Sequence, residues 1–233
     1  MNVTLGWKKA TRKGMERSVT ERLLVDEQHA AEMNVIPDAR MSTLRFKIKD
    51  LTDHIIQAQY EMFRYPADEF TTIVNNLVTT RRYIYPGDAV TDDLDEGRPY
   101  CHPFIIAILK ASIYGPKAFF KLPRATYQNE KTGRLQAPAP LVALAATAAE
   151  AGLKAFQLGP TATKIDFKGD HYEFTYKVHL GSLEKIRRLD EEAYEGLLGK
   201  LYDDACGTQS SSAEPSGVKT LTIAMGAFSK NFK

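Results

Sequence analysis

The stretch Pro138–Gly159, PAPLVALAATAAEAGLKAFQLG, decides the fold. Apolar and small residues fill most of its circumference, and Glu150 and Lys154, four apart, are its only charges. A helix that is apolar nearly all round is surrounded by other elements. Proline in its first turn costs no hydrogen bond, and Gly159-Pro160 supplies a left-handed cap and a stop. Ala145 with Ala149, and Ala148 with Gly152, set small residues on neighbouring turns, so a second helix can approach closely. Leu141, Leu144, Leu153 and Phe156 are its packing knobs. The expectation is an all-α bundle built around this helix.

The totals agree with one main domain. The 233 residues are 43% hydrophobic and 26% charged, with a net charge of +2, an ordinary globular composition. So small a net charge implies neither a nucleic-acid nor a membrane partner by itself. Cys101 and Cys206 are too few for a disulfide framework or a four-cysteine zinc site, which fits a reducing compartment. Basic residues at the N-terminus precede no apolar signal segment, and the longest uncharged apolar run is well short of the roughly 20 residues that a membrane span needs. The expected location is cytoplasmic or nuclear.

Outward from the central helix, residues 1–17 form a basic, flexible arm, with Lys8, Lys9, Arg12, Lys13 and Arg17 around Trp7 and against Glu16. Ser18 and Glu21 suit a capping box for a helix that follows. Met41, Leu44, Ile48, Leu51, Ile55, Ala58 and Met62, spaced three or four apart, predict a long amphipathic helix ending near Tyr65-Pro66. Phe70, Ile73, Val74, Leu77 and Val78 give the next helical face. Residues 85–99, YPGDAVTDDLDEGRP, read as an exposed acidic loop. An EF-hand alignment on Gly97 would place Leu94 and Pro103 at ligand positions, so calcium is rejected. Cys101-His102-Pro103 opens an apolar helix, with the histidine as its cap beside a buried thiol. Asp170-x-x-Glu173 is a second capping-box pattern, at the head of a last long helix that runs on to Leu197 and Leu201. Residues 206–233 are a linker and an apolar tail, which leaves 18–205 as the helical domain.

Three runs carry a resemblance: CHPFIIAILKASIYGPKAFF, then APAPLVALAATAAEAGLKAFQLG, then DFKGDHYEFTYKVHLGSLEKI. Together they resemble an uncharacterised all-helical domain of unknown function found widely in mushroom-forming fungi. The likeness covers about residues 40–202, is strongest from His102 onward, and leaves the arm and the tail outside. It implies an intracellular helical domain, often carried by larger proteins with low-complexity flanks. No activity or catalytic residue comes with it.

Candidate sites are few. Tyr172, Tyr176 and His179 lie at i, i+4 and i+7, with Ser182 three further on, a face suited to lining a pocket. That histidine and serine lack a nucleophile elbow and an orienting carboxylate, so hydrogen-bonded core side chains are the simpler account. Gly159-Pro-Thr-Ala-Thr-Lys164 is no phosphate loop, and no His-Glu-x-x-His motif is present. No cofactor and no metal is expected. The reading is a non-enzymatic interaction or scaffold module with protein partners. Its first alternative is a nucleic-acid-associated protein that uses Lys8, Lys9, Arg12 and Lys13. The second is an enzyme with a pocket near Tyr176 and His179.

Overall fold

In a computed structural model, the chain is described over residues 38–114, 118–119, 127–129, 131–163 and 165–207. The basic arm, the helix expected after Ser18, the Gly115-Pro116 stop and the C-terminal tail lie outside these residues. Nearly all of the described residues belong to the second of two compact units, Ala39–Lys233.

The central helix is present as α4, Ala139–Lys154, and every residue from Ala139 to Leu153 is buried. Around it stand α1 (Asp38–Gln59), α2 (Phe70–Thr80), α3 (Pro103–Leu109), α5 (Gly169–Leu189) and α6 (Glu191–Cys206). Helices α2, α3 and α5 pack on α4 directly, and α6 closes over α3 and α5. The described residues thus form a helical bundle with one small sheet. Leu141, Leu144, Leu153 and Phe156 are all buried knobs. Helix α4 stops at Lys154, a turn before Gly159, whose φ of 143° is open only to glycine.

Gly152 explains how α1 seats itself. A Cβ there would stand 2.7 Å from Thr52 Cγ2 and 3.0 Å from Ile56 Cδ1, so the bare glycine is a notch for α1. The buried line of α1 consequently runs Leu44, Ile48, Thr52, Ile56, in steps of four, and continues to Tyr60 just past its end. The expected seam, which alternated three and four through Leu51, Ile55 and Ala58, drifts off this line. Those three side chains are half-buried or exposed. A row spaced four apart is the ridge that fits an inclined neighbouring groove, whereas the three-four seam belongs to near-parallel pairs. Met62 leaves the helix altogether, into a 3₁₀ turn, Met62–Arg64, entered through a left-handed Glu61.

Two further departures have local causes. The expected last long helix is broken at Asp190, whose extended backbone ends α5 and whose side chain accepts from Ala193 N at 2.9 Å, capping α6. At the start of α5 the capping position falls to Lys168 with no side-chain cap, and Glu173 pairs with Lys177 at 2.5 Å instead of closing a box. The acidic loop contains a two-residue hairpin, β1 (Gly87–Asp88) against antiparallel β2 (Asp93–Leu94). His102 caps α3 as expected, its Nδ1 accepting from Phe104 N at 3.1 Å, with Cys101 buried beside it.

Candidate functional site

The polar groups of the core converge on Glu150, the lone acid of α4. Its Oε1 accepts from Lys154 Nζ at 2.7 Å and from the Thr175 hydroxyl at 3.0 Å. Its Oε2 accepts from the Tyr83 hydroxyl at 2.9 Å. Burial alone would raise the carboxyl's pKa, but the hydrogen bonds and charge of Lys154, with those of Tyr83 and Thr175, more than reverse this and hold it below its ordinary value.

Four elements supply these groups. Lys154 follows Glu150 by one turn of α4, and Thr175 and His179 follow one another by one turn of α5. Tyr83 comes from a 3₁₀ turn, Arg82–Ile84, which a left-handed Arg81 swings inward from the end of α2. Tyr100, itself left-handed at φ 64°, precedes the His102 cap.

The hydrogen bonds determine His179's tautomer. Tyr83 has one proton, and the Glu150 carboxylate is the strongest acceptor within its reach. His179 Nε2, 2.8 Å from the same hydroxyl oxygen, must then donate to it. That leaves Nδ1 unprotonated and able to accept from the Tyr100 hydroxyl at 3.3 Å, a proton shared with the His179 carbonyl at the same distance. The ring is neutral, and burial pushes its pKa down to about 4. Burial and the neighbouring Glu150 push Tyr83 well above its ordinary value. Tyr83, Tyr100 and His179 are 0% exposed. A proton can be redistributed within this chain of groups, whose His179 ring is closed off from solvent.

Of the three residues expected on one pocket face, Tyr172 and His179 lie on the buried side of α5, and Tyr176 is half-buried on its shoulder. The Tyr172 ring sits 5.3 Å from Phe167 and under Lys154 Nζ, also at 5.3 Å, so it covers the outer end of the Glu150 cluster. Ser182 donates to Val178 O at 2.8 Å. Lys8, Lys9, Arg12 and Lys13 lie outside the described residues. Among the described residues no group of three or more His, Cys, Asp or Glu is placed to hold a metal ion, and no helix is long and apolar enough to cross a membrane. The hairpin acids answer arginines: Asp92 and Glu96 pair with Arg82, and Asp88 pairs with Arg64 at 2.8 Å.

A second arrangement adjoins this core. Beneath the hairpin lies a cleft of about 280 Å³, lined by Tyr60, Tyr65, Tyr83, Tyr85, His102 and Asp88 among others. The His102 ring stacks on Tyr60, 4.0 Å between centroids and 12° from parallel, and Tyr60 donates to Tyr83 O at 2.8 Å. Burial lowers the His102 pKa to about 3. With Nδ1 taken by Phe104 N–H, the neutral ring carries its proton on Nε2.

The sequence reading missed Glu150, Tyr83, Tyr100 and the cleft. A signal for Glu150 was present, since a carboxylate in a helix apolar all round must be paired inside the core. Tyr83 and Tyr100 depend on backbone turns that no local pattern announces.

The family model for a domain of unknown function, DUF6532, matches residues 3–186. The chain belongs to this family. The DUF6532 match begins upstream of the expected residue 40, so the basic arm falls within it, and it ends before 202, leaving α6 and the tail outside. It takes in every member of the Glu150–His179 cluster and the whole cleft. No curated protein and no solved structure matches the chain.

Proposed function

We propose that this domain is a non-enzymatic, intracellular helical module of a fungal protein, acting in the cytoplasm or nucleus by holding other proteins. The observation that carries the reading is the sealing of His179. Set among Tyr83, Tyr100 and Glu150, His179 has both ring nitrogens engaged inside the core and is 0% exposed. Such a cluster ties α4, α5 and the two tyrosine turns into one rigid body, as a scaffold needs. Its outer surface carries Phe46, Phe63, Leu158, Phe174 and Leu189, each more than half exposed, as contact points of the kind that interfaces use.

The test is quantitative capture from a nuclease-treated fungal extract, comparing the intact chain with Phe46→Ser, Phe63→Ser and Phe174→Ser variants of unchanged melting temperature. A stoichiometric protein held by the intact chain and released by one of these variants is the expected result. Retention that vanishes with nuclease, and with deletion of residues 1–17, would replace this reading with a nucleic-acid role for Lys8, Lys9, Arg12 and Lys13. Turnover of any substrate that His179→Gln abolishes in a folded protein would overturn both.

A further inference from the structure

The cleft under the β1–β2 hairpin holds polar groups that the fold itself does not use. Tyr65 lines it, is 7% exposed, and its buried hydroxyl has no hydrogen-bond partner among the described residues. Tyr60, Glu61, Arg64 and Asp88 line the cleft beside it. A buried hydroxyl left unpaired is destabilising, and phenylalanine would fill the same space without it. His102, whose neutral ring carries its proton on Nε2, also lines this cleft. Leu77, Val90 and Leu94, with the rings of Tyr60 and Tyr85, supply apolar walls.

The charges of the cleft narrow its ligand. Arg64 is paired with both Glu61 and Asp88, so among the described residues lining the cleft no uncommitted cation stands ready for an anion, and the three sum to one negative charge. The rim is fixed by backbone that most residues avoid. Glu61 is left-handed at φ 48°, and Gly87 at φ 130° presses so close to the partner strand that a Cβ would lie 2.2 Å from Asp93 O. A cavity of about 280 Å³ is at the small end of ligand sites.

We propose that this cleft binds a small, neutral, planar molecule bearing a carbonyl-type acceptor, its oxygen accepting from the Tyr65 hydroxyl. The proposal stands apart from the interaction-module reading, since it concerns a different face and a different class of ligand.

Three probes of nearly equal size test it by protein-observed NMR on the intact chain: acetophenone, neutral with an acceptor; benzoate, anionic; and ethylbenzene, with no acceptor. Acetophenone is expected to shift signals of Tyr65, His102 and Val90 and to bind about fivefold more tightly than either of the others, the worth of about one hydrogen bond. Tyr65→Phe should weaken acetophenone about fivefold, leave ethylbenzene unchanged, and melt no lower than the parent chain. The proposal is overturned if acetophenone shifts no cleft signal up to its solubility limit, or if benzoate binds as well. It is equally overturned if Tyr65→Phe leaves acetophenone binding intact, or lowers the melting temperature and so reveals a structural partner for the hydroxyl.

Discussion

His179 and His102 are both buried, both neutral and both set against tyrosine rings, yet they belong to different kinds of place. His179 has its two nitrogens answered from inside, by Tyr83 and Tyr100, and stands with Glu150 at the meeting of four elements. His102 spends one nitrogen on the cap of α3, and its ring lines a cleft. Burial alone therefore does not distinguish a structural histidine from one with chemistry to spare. What distinguishes them is whether every polar atom is accounted for.

The largest expected effect comes from removing the hub of the sealed cluster. Glu150→Ala deprives the buried Tyr83 and Thr175 hydroxyls of their acceptor and should cost about 3 kcal/mol, read by denaturant unfolding. Lys154 is 34% exposed and can turn to water, so it adds little to that loss. A cost near zero would mean that the cluster is no keystone and that the contrast with the cleft is false.

A smaller effect should separate the two places. Gly152→Ala intrudes on Thr52 and Ile56 of α1, the helix that leads to Tyr60 and the His102 stack. We expect a loss of about 1–2 kcal/mol, with the His102 ring signals moving and those of His179 holding still. Gly181→Ala, on an open face of α5 with nothing within 4 Å, should instead stabilise by up to about 1 kcal/mol. If both substitutions behave alike, the notch at Gly152 does not seat α1.

Much of this frame was legible in the sequence. The apolar circumference of residues 138–159 gave away a surrounded helix because burial on every side leaves no polar stripe. The His102 cap was readable because capping is local. The line of α1 was not, since a three-four seam and a ridge of fours share Leu44 and Ile48, and the choice between them lies in Gly152, about a hundred residues away. The Glu150 cluster was half legible: the lone acid demanded partners, but Tyr83 and Tyr100 reach it only through the left-handed backbone at Arg81 and at Tyr100 itself. Grouping Tyr176 with Tyr172 and His179 followed the helical period, whereas the buried residues of α5 are Tyr172, Thr175, His179, Ser182, Leu183 and Ile186.

Acid stability follows from the same accounting. The unfolded chain protonates its histidines near the ordinary 6.5, but His179 in the fold does so only near 4. Between those values the unfolded state binds more protons, so stability is whole above about pH 6.5 and falls as pH drops towards 4. The loss for His179 is roughly 3 kcal/mol. Glu150 adds to it in the same direction, because its depressed pKa contributes stability above its ordinary 4.5 that is lost at lower pH.

The most direct test of the central claim is the ¹⁵N NMR titration of the His179 ring from about pH 8 to about pH 5, the range in which an ordinary histidine gains its proton. A sealed, fully bonded ring should stay neutral throughout, hold its proton on Nε2, and exchange that proton slowly with solvent. A ring that titrates near 6.5 with fast exchange would show that His179 is open to water, and the distinction between a closed core and an open cleft would fall.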